Sequence, residues 1–242
     1  MFGIHFREIK IMDIKPGEIL SYLDMCQVEG VNLQRGMNFR LKPGYSVILM
    51  SIRPGAPYSD QVIDNGKVLV YEGHDTPKTK DIVDQKVLDQ PMATLNGKLT
   101  QNGLFHSAAK KYQNKENIPE KVKVYEKLRN GIWVYNGIFY LTDSWIENDT
   151  GRKVFKFRLE MASDQNAEDI NQTEVEHTRM IPSRVKAEVW KRDGGKCIIC
   201  GAKDNLHFDH IIPFSKGGSS LVAENIQLMC ARHNLAKRDR IE

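Results

Sequence analysis

The sequence predicts an α+β protein in two parts, a strand-rich region over residues 1–161 and a small metal-braced unit over residues 181–242. Three observations carry this. Short apolar runs of strand length recur through the front of the chain, a polar and acidic tract follows them, and paired cysteine and histidine ligands crowd the far end. A chain of 242 residues holds one large or two ordinary domains, and 40% hydrophobic content is enough for a real core.

In chain order, strands are expected at residues 44–50, 67–71, 121–125 and 131–141. Asp64-Asn65-Gly66-Lys67 supplies a tight turn, because Asn-Gly tolerates positive φ. Several short strands of this kind suggest a sheet curled toward a barrel, with flanking helices. The helix expected at 99–112 places Leu104, Ala108 and Tyr112 on one face. Residues 162–176 are polar, acidic and nearly free of large apolar side chains, and a solvated linker between domains is expected over 162–180. Beyond Pro182, Ser183 is placed to cap a helix over 184–192, with Val185, Val189 and Trp190 packing inward. No repeat or low-complexity tract interrupts this order.

Charge is a weak guide. The net charge of +4 with 27% charged residues and a pI near 8.7 permits nucleic-acid binding without demanding it. The basic excess is local, over residues 179–196 and 232–240, around the metal-type ligands. Of four cysteines only Cys26 lies outside those ligand pairs, so a disulfide framework is not expected and a reducing compartment fits. The first residues lack a long apolar core and no run of about eighteen apolar residues occurs. A soluble, cytoplasmic protein is expected.

The chemistry is concentrated after Cys197. Cys197 and Cys200 form a C-x-x-C pair, and Cys230 with His233 forms a C-x-x-H pair; together they can close one tetrahedral, structural zinc site. Interleaved with them are Asp209-His210, Asn225 and Asn234. Oxygen donors from Asp209 and Asn234 suit a hard divalent ion such as Mg²⁺ or Mn²⁺. His210, beside a ligand without being needed as one, is free to act as general base on a water. The plainer reading is a zinc module without catalysis, which would not need His210.

At these residues the chain resembles the HNH nuclease motif in its ββα-metal form, braced by a zinc knuckle, over residues 181–242. The resemblance implies that Asp209 and Asn234 hold the catalytic ion, that His210 activates water, and that Asn225 fixes the loop carrying His210. The last knuckle departs from the pattern, with His233 where many relatives have cysteine. Lys237 or Arg232 would hold a phosphate, though a solvated helix face explains both equally well.

Three stretches of the front region carry more than strand character: residues 44–49 with 58–66 and 71–73, then 98–104, then 134–140 leading to Trp145 and 154–159. In that order they resemble the SRA (YDG) domain, which reads a modified cytosine by flipping it out of the duplex. Such a pocket needs aromatic faces and polar groups for the base edge. The resemblance implies Tyr58 and Tyr71 as the sandwiching rings and Asp60 as acceptor for the cytosine amino group. Tyrosines on strands are also common core or cross-strand residues, and an aspartate in a turn is often an Asx cap. Asn136 stands where the Y-D-G tripeptide has its acid.

Together the two resemblances imply a modification-dependent, type IV-like restriction endonuclease acting on double-stranded DNA that contains 5-methyl- or 5-hydroxymethylcytosine. One such unit per chain makes a homodimer the natural expectation for cutting both strands. Two other readings stand beside it: a modified-DNA sensor with an idle HNH domain, and an HNH nicking nuclease without modification dependence.

Overall fold

In the computed structural model, which describes residues 14–42, 44–78, 80, 82, 84–162, 180–238 and 240, the front of the chain builds one eight-stranded sheet. Strand β1 (Ile19–Ser21) runs into helix α1 (Tyr22–Glu29), followed by β2 (Met37–Lys42), β3 (Tyr45–Met50), β4 (Gln61–Ile63) and β5 (Val68–Glu72). Helix α2 (Gln101–Gln113) then leads to β6 (Glu120–Arg129), β7 (Ile132–Asp149) and β8 (Arg152–Met161). The strand order is β2-β3-β6-β7-β8-β5-β4, with β1 added on β7. β3 and β6 pair in parallel, and the other pairings of this sheet are antiparallel. The expected strands are present, those at 121–125 and 131–141 as parts of longer ones.

The sheet curls as expected. β3 and β5 are far apart in strand order, yet the Tyr71 hydroxyl on β5 reaches Leu49 O at 3.5 Å and Ser51 N, just past β3, donates to Asp60 at 3.0 Å. Bulges supply part of the bend. On the β6–β7 ladder Val124 pairs with Gly137 and Tyr125 with Tyr135, leaving Asn136 as the extra residue. Gly137 has φ +104°, which a residue with a side chain adopts only with strain.

Helix α2 closes the main core. Thr100 caps it by accepting from Gly103 N at 3.2 Å. Its buried residues are Asn102, Gly103, Phe105 and Ala109, so the inward face is turned from the expected Leu104–Ala108–Tyr112 stripe, which is half-buried. The cause is a polar anchor that apolar periodicity does not report. Asn102 accepts from His74 N and donates to His74 O, both at 2.8 Å. Phe105 then sets its ring edge against Phe39 and Phe157.

The end of the chain forms a ββα unit. Helix α3 (Ser183–Arg192) is followed by β9 (Leu206–His210), β10 (Ile226–Cys230) and helix α4 (Ala231–Lys237), with β9 and β10 antiparallel. The expected Ser183 cap is not made: Ser183 is already the first helical residue, Pro182 occupies the cap position, and no side chain caps the end. Val185 and Val189 are buried and Trp190 packs beside them, as expected. The two parts are joined by a common core, because Ile19 and Val134 lie in one apolar cluster with Ile181, Val185, Val189, Leu206, Phe208 and Leu228. The expected linker at 162–180 falls almost wholly outside the described residues.

Phe105 is fully buried at the centre of the larger core. Phe105→Ala is therefore expected to cost about 3–5 kcal/mol, read as a lower urea midpoint for the sheet while bound metal at the ββα unit is retained.

Candidate functional site

The first site is a cleft of about 660 Å³ where the ends of β3 and β5 converge, lined among others by Gly36, Ser51, Tyr58, Asp60, Tyr71 and His74. The structure thus brings together all three residues expected to form a base pocket, and adds His74. The Tyr58 and His74 rings stack with centroids 5.6 Å apart at 27°, and Lys86 Nζ lies 4.2 Å from the Tyr58 ring centroid. Tyr71, itself buried, places its hydroxyl 3.1 Å from His74 Nε2. Gly36 must be glycine here. A Cβ at that position would sit 2.6 Å from the Tyr71 hydroxyl and 2.8 Å from His74 Nε2.

Asp60 is held by two backbone donors, Ser51 N and Glu72 N, each at 3.0 Å. Burial nevertheless pushes its carboxyl up to about 6, while burial takes the His74 imidazole down to about 4. At neutral pH the cleft therefore presents a carboxylate beside an uncharged imidazole. A buried charge network fixes this wall from behind. Glu72 accepts from Lys156 at 2.9 Å, Arg152 at 3.4 Å and Ser59 N at 3.0 Å, and Asp75 takes Arg152 at 2.6 Å and Lys86 at 2.9 Å. Single histidines carry no period or spacing, so nothing in the sequence marked His74.

The second site lies at the end of β9. Asn225 locks the loop that follows: its Oδ1 accepts from Ile212 N at 2.8 Å, and its Nδ2 donates to Ile212 O at 3.1 Å and Ser219 O at 3.0 Å. Gly218 passes so close that a Cβ would meet Asn225 Nδ2 at 2.7 Å. This arrangement delivers Ser220, which is buried, to His210, with Ser220 Oγ 2.8 Å from His210 Nε2. Asp209 is met by Gln227, its cross-strand partner on β10, whose Nε2 donates to it at 3.1 Å, and by Lys237 of α4, which pairs with the same oxygen.

Asn234 precedes Lys237 by three residues and so shares its face of α4; since Lys237 reaches Asp209, that face looks onto β9. Lys237 itself departs from expectation. It is almost fully buried and bonds Asp209 and His210 O, so its amine faces inward and not out to a phosphate. Arg232, one residue into α4, is exposed. Ser220 was missed in the sequence because it lies in a Gly-Ser stretch that reads as an ordinary loop.

The third arrangement is the expected ligand cluster. One donor atom from each of Cys197, Cys200, Cys230 and His233 lies within 4.8 Å of all the others. Cys200 Sγ and Cys230 Sγ are 3.8 Å apart, and His233 Nδ1 is 3.4 Å from Cys197 Sγ and 3.3 Å from Cys230 Sγ. A tetrahedron with Zn–S near 2.3 Å and Zn–N near 2.0 Å has edges of roughly 3.5–3.8 Å. The cluster is therefore sized for zinc, with His233 taking the place of a fourth cysteine.

Comparison with known proteins agrees with both halves. The SAD/SRA domain family matches residues 9–165, and the HNH endonuclease family matches residues 197–240. The chain belongs to the SAD/SRA domain family and carries an HNH endonuclease domain at its far end. Among solved structures, an SRA domain of SUVH5 bound to fully hydroxymethylated CG DNA is 22% identical, covering 67% of this chain and 97% of that one with a TM-score of 0.44. The modification-dependent TagI restriction endonuclease is 18% identical over 95% of this chain and 79% of that one, with a TM-score of 0.42. No curated protein matches the chain.

Because the ligand-binding free energy of such small units is folding free energy, roughly 10–16 kcal/mol in zinc-finger peptides, Cys200→Ser should release the metal. Metal analysis is expected to show its loss, and hydrogen exchange to show deprotection of β9, β10 and α4 while β6–β8 stay protected.

Proposed function

We propose that this protein is a modification-dependent DNA endonuclease that takes a flipped 5-methyl- or 5-hydroxymethylcytosine into the β3–β5 cleft and hydrolyses the phosphodiester backbone at the end of β9. The observation that carries the reading is the presence, on one chain, of an aromatic and carboxylate-lined cleft and an imidazole anchored beside Asp209. In the cleft, Tyr58 and His74 offer ring faces for the stacking that a base loses on leaving the duplex, the buried Tyr71 backs them through its hydroxyl on His74, and Asp60 offers an acceptor for the base's amino group. The whole site is stiff, since the Glu72–Arg152–Lys156 network holds Ser59 and Glu72 N holds Asp60.

For hydrolysis, His210 takes a proton from water as the water oxygen bonds phosphorus and the P–O3′ bond breaks. Ser220, hydrogen-bonded at Nε2, holds the ring in one orientation, and Asn225 holds the loop that carries Ser220. Asp209 and Asn234 would hold a divalent ion such as Mg²⁺ or Mn²⁺, which would supply charge neutralisation at the phosphate and leaving oxygen. Lys237 adds a fixed positive charge on the inner side of Asp209. Cutting both strands takes two such sites or two visits by one, and a homodimer would provide the two sites.

The test is a digestion panel of one plasmid carrying plain, methylated or hydroxymethylated cytosine, with Mg²⁺ or Mn²⁺. Cutting confined to modified DNA is expected; equal cutting of all three would remove the modification dependence. His210→Ala should bind modified DNA and leave it intact, and normal turnover by that variant would remove the mechanism.

The titration of Asp60 gives a second expectation. Its carboxyl is ionised above about pH 6, so preference for modified DNA should be full at neutral pH and decline as pH falls through that value. His74, with its value near 4, stays uncharged across this window. Binding isotherms on modified and plain duplexes measure the preference, and Asp60→Asn should flatten its pH dependence.

A further inference from the structure

Helix α3 opens the nuclease unit, and the middle of its inward face carries a lysine where an apolar residue would be ordinary. Lys186 is 2% exposed. Its Nζ lies 2.9 Å from Glu126 Oε2 on β6 and 2.7 Å from Asn136 Oδ1 on β7. Asn136 Nδ2 in turn donates to the same Glu126 oxygen at 2.9 Å. The three side chains form a closed triangle, and Glu126 and Asn136 are 2% and 5% exposed. The positive charge of Lys186, with the hydrogen bond from Asn136, helps keep the Glu126 carboxyl below its usual range despite burial.

The amide at 136 is required by this geometry. It gives an N–H to Glu126 and receives one from Lys186, which an ionised aspartate could not do. It reaches both because Asn136 is the bulged residue of the β6–β7 ladder, displaced from the regular alternation of the strand. Around the triangle the contact is apolar, Ile19 and Val134 meeting Ile181, Val185 and Val189.

A buried ion pair adds little stability over well-packed apolar residues; what it adds is selectivity among packings, since an uncompensated buried charge is strongly disfavoured. Two apolar faces tolerate sliding, whereas two hydrogen bonds of 2.7 and 2.9 Å from one ammonium, to acceptors that a third bond ties together, are met in a single alignment. Among the described residues, the remaining backbone ties between the two parts are slight: the Glu18–His207 bridge and a 3.4 Å contact from Phe208 N to Gly17 O.

The geometry points to Lys186, Glu126 and Asn136 as positioning residues that hold the nuclease unit in one place relative to the base cleft, so that the cut falls at one fixed distance from the modified base. The inference rests on the reading of the cleft and of the β9 site given above. It makes the reader a ruler as well as a recognition module.

The test compares the full-length wild type with Lys186→Met/Glu126→Leu, which removes both charges together and retains apolar volume, and with Asn136→Leu as an independent route. Spin labels at the exposed Lys115 and Lys203 report the separation of the two parts by pulsed dipolar spectroscopy. A duplex with a single modified cytosine reports the position of the cut ends. The wild type should give one narrow distance population and one cut offset on each strand. Each variant should keep its metal and a cooperative melt at a lowered temperature, since buried partners are lost, widen the distance distribution roughly twofold and spread the cuts over neighbouring phosphates. Unchanged widths, or widened distances with an unchanged offset, would overturn the inference. If the wild type cuts plain DNA equally, the reading of the cleft fails, and the distance measurement still decides whether the triangle positions the unit. Should one variant not fold, the other carries the same comparison.

Discussion

The hydrogen-bonded register of β7 is the constraint on which the rest of the molecule depends. Over its 18 residues this strand pairs with β6 along its first half, with β8 along its second, and with β1 at its start. A slip of one residue would exchange every buried and exposed side chain along it. Val134, Phe139 and Leu141 would leave the cores, and Asn136 would leave Lys186. The bulges at Asn136 and near Leu141 pin that register, and they bend the strand so that its two halves serve different neighbours. One half faces the nuclease unit, and the other carries β8, whose Arg152 and Lys156 hold the floor of the cleft.

The cleft and the β9 site solve the same problem in different ways. Each must keep a polar group aimed into an open space, and each does so by exhausting the alternatives of the residues behind it. In the cleft the anchoring is ionic, with Glu72 and Asp75 saturated by Arg152, Lys156 and Lys86. Beside β9 it is a chain of neutral hydrogen bonds from Asn225 through the 211–220 loop to Ser220 and His210. Ionic support suits a pocket that must admit a base without deforming. Neutral support would suit an imidazole whose charge changes as the proposed hydrolysis runs.

How much of this was legible in the sequence depended on whether the signal was local. The Cys and His pairs of the metal cluster and the strands of the sheet rest on short spacings or alternation, and the structure shows each in place; the Asp209-His210 dipeptide rests on adjacency in the same way. The inward face of α2 was misplaced because Asn102, a residue no hydrophobic period includes, sets its rotation through His74. Lys237 reads as a phosphate contact or a solvated cation, since nothing nearby in sequence says that Asp209 lies across from it. His74, Ser220 and the Lys186 triangle depend on partners many residues away, in one case 60 positions distant, and only the folded chain brings those partners together. The replacement of the tripeptide acid by Asn136 was visible from the start; its reason was not, because that reason is a carboxylate on β6 and an ammonium on α3.

The common core also bears on how such a protein can be assembled from parts. Among the described residues the ββα unit has two short strands, two α-helices and two single-turn 3-10 helices, too little to cover its own apolar surface, and Ile19 and Val134 complete the covering. Excised alone, the unit would present Val185, Val189 and Phe208 to water and tend to associate through them. Grafting this cutter onto another recognition domain therefore demands transplanting the matching patch of sheet along with it. What looks in the sequence like an interchangeable cartridge is, physically, half of a fitted joint.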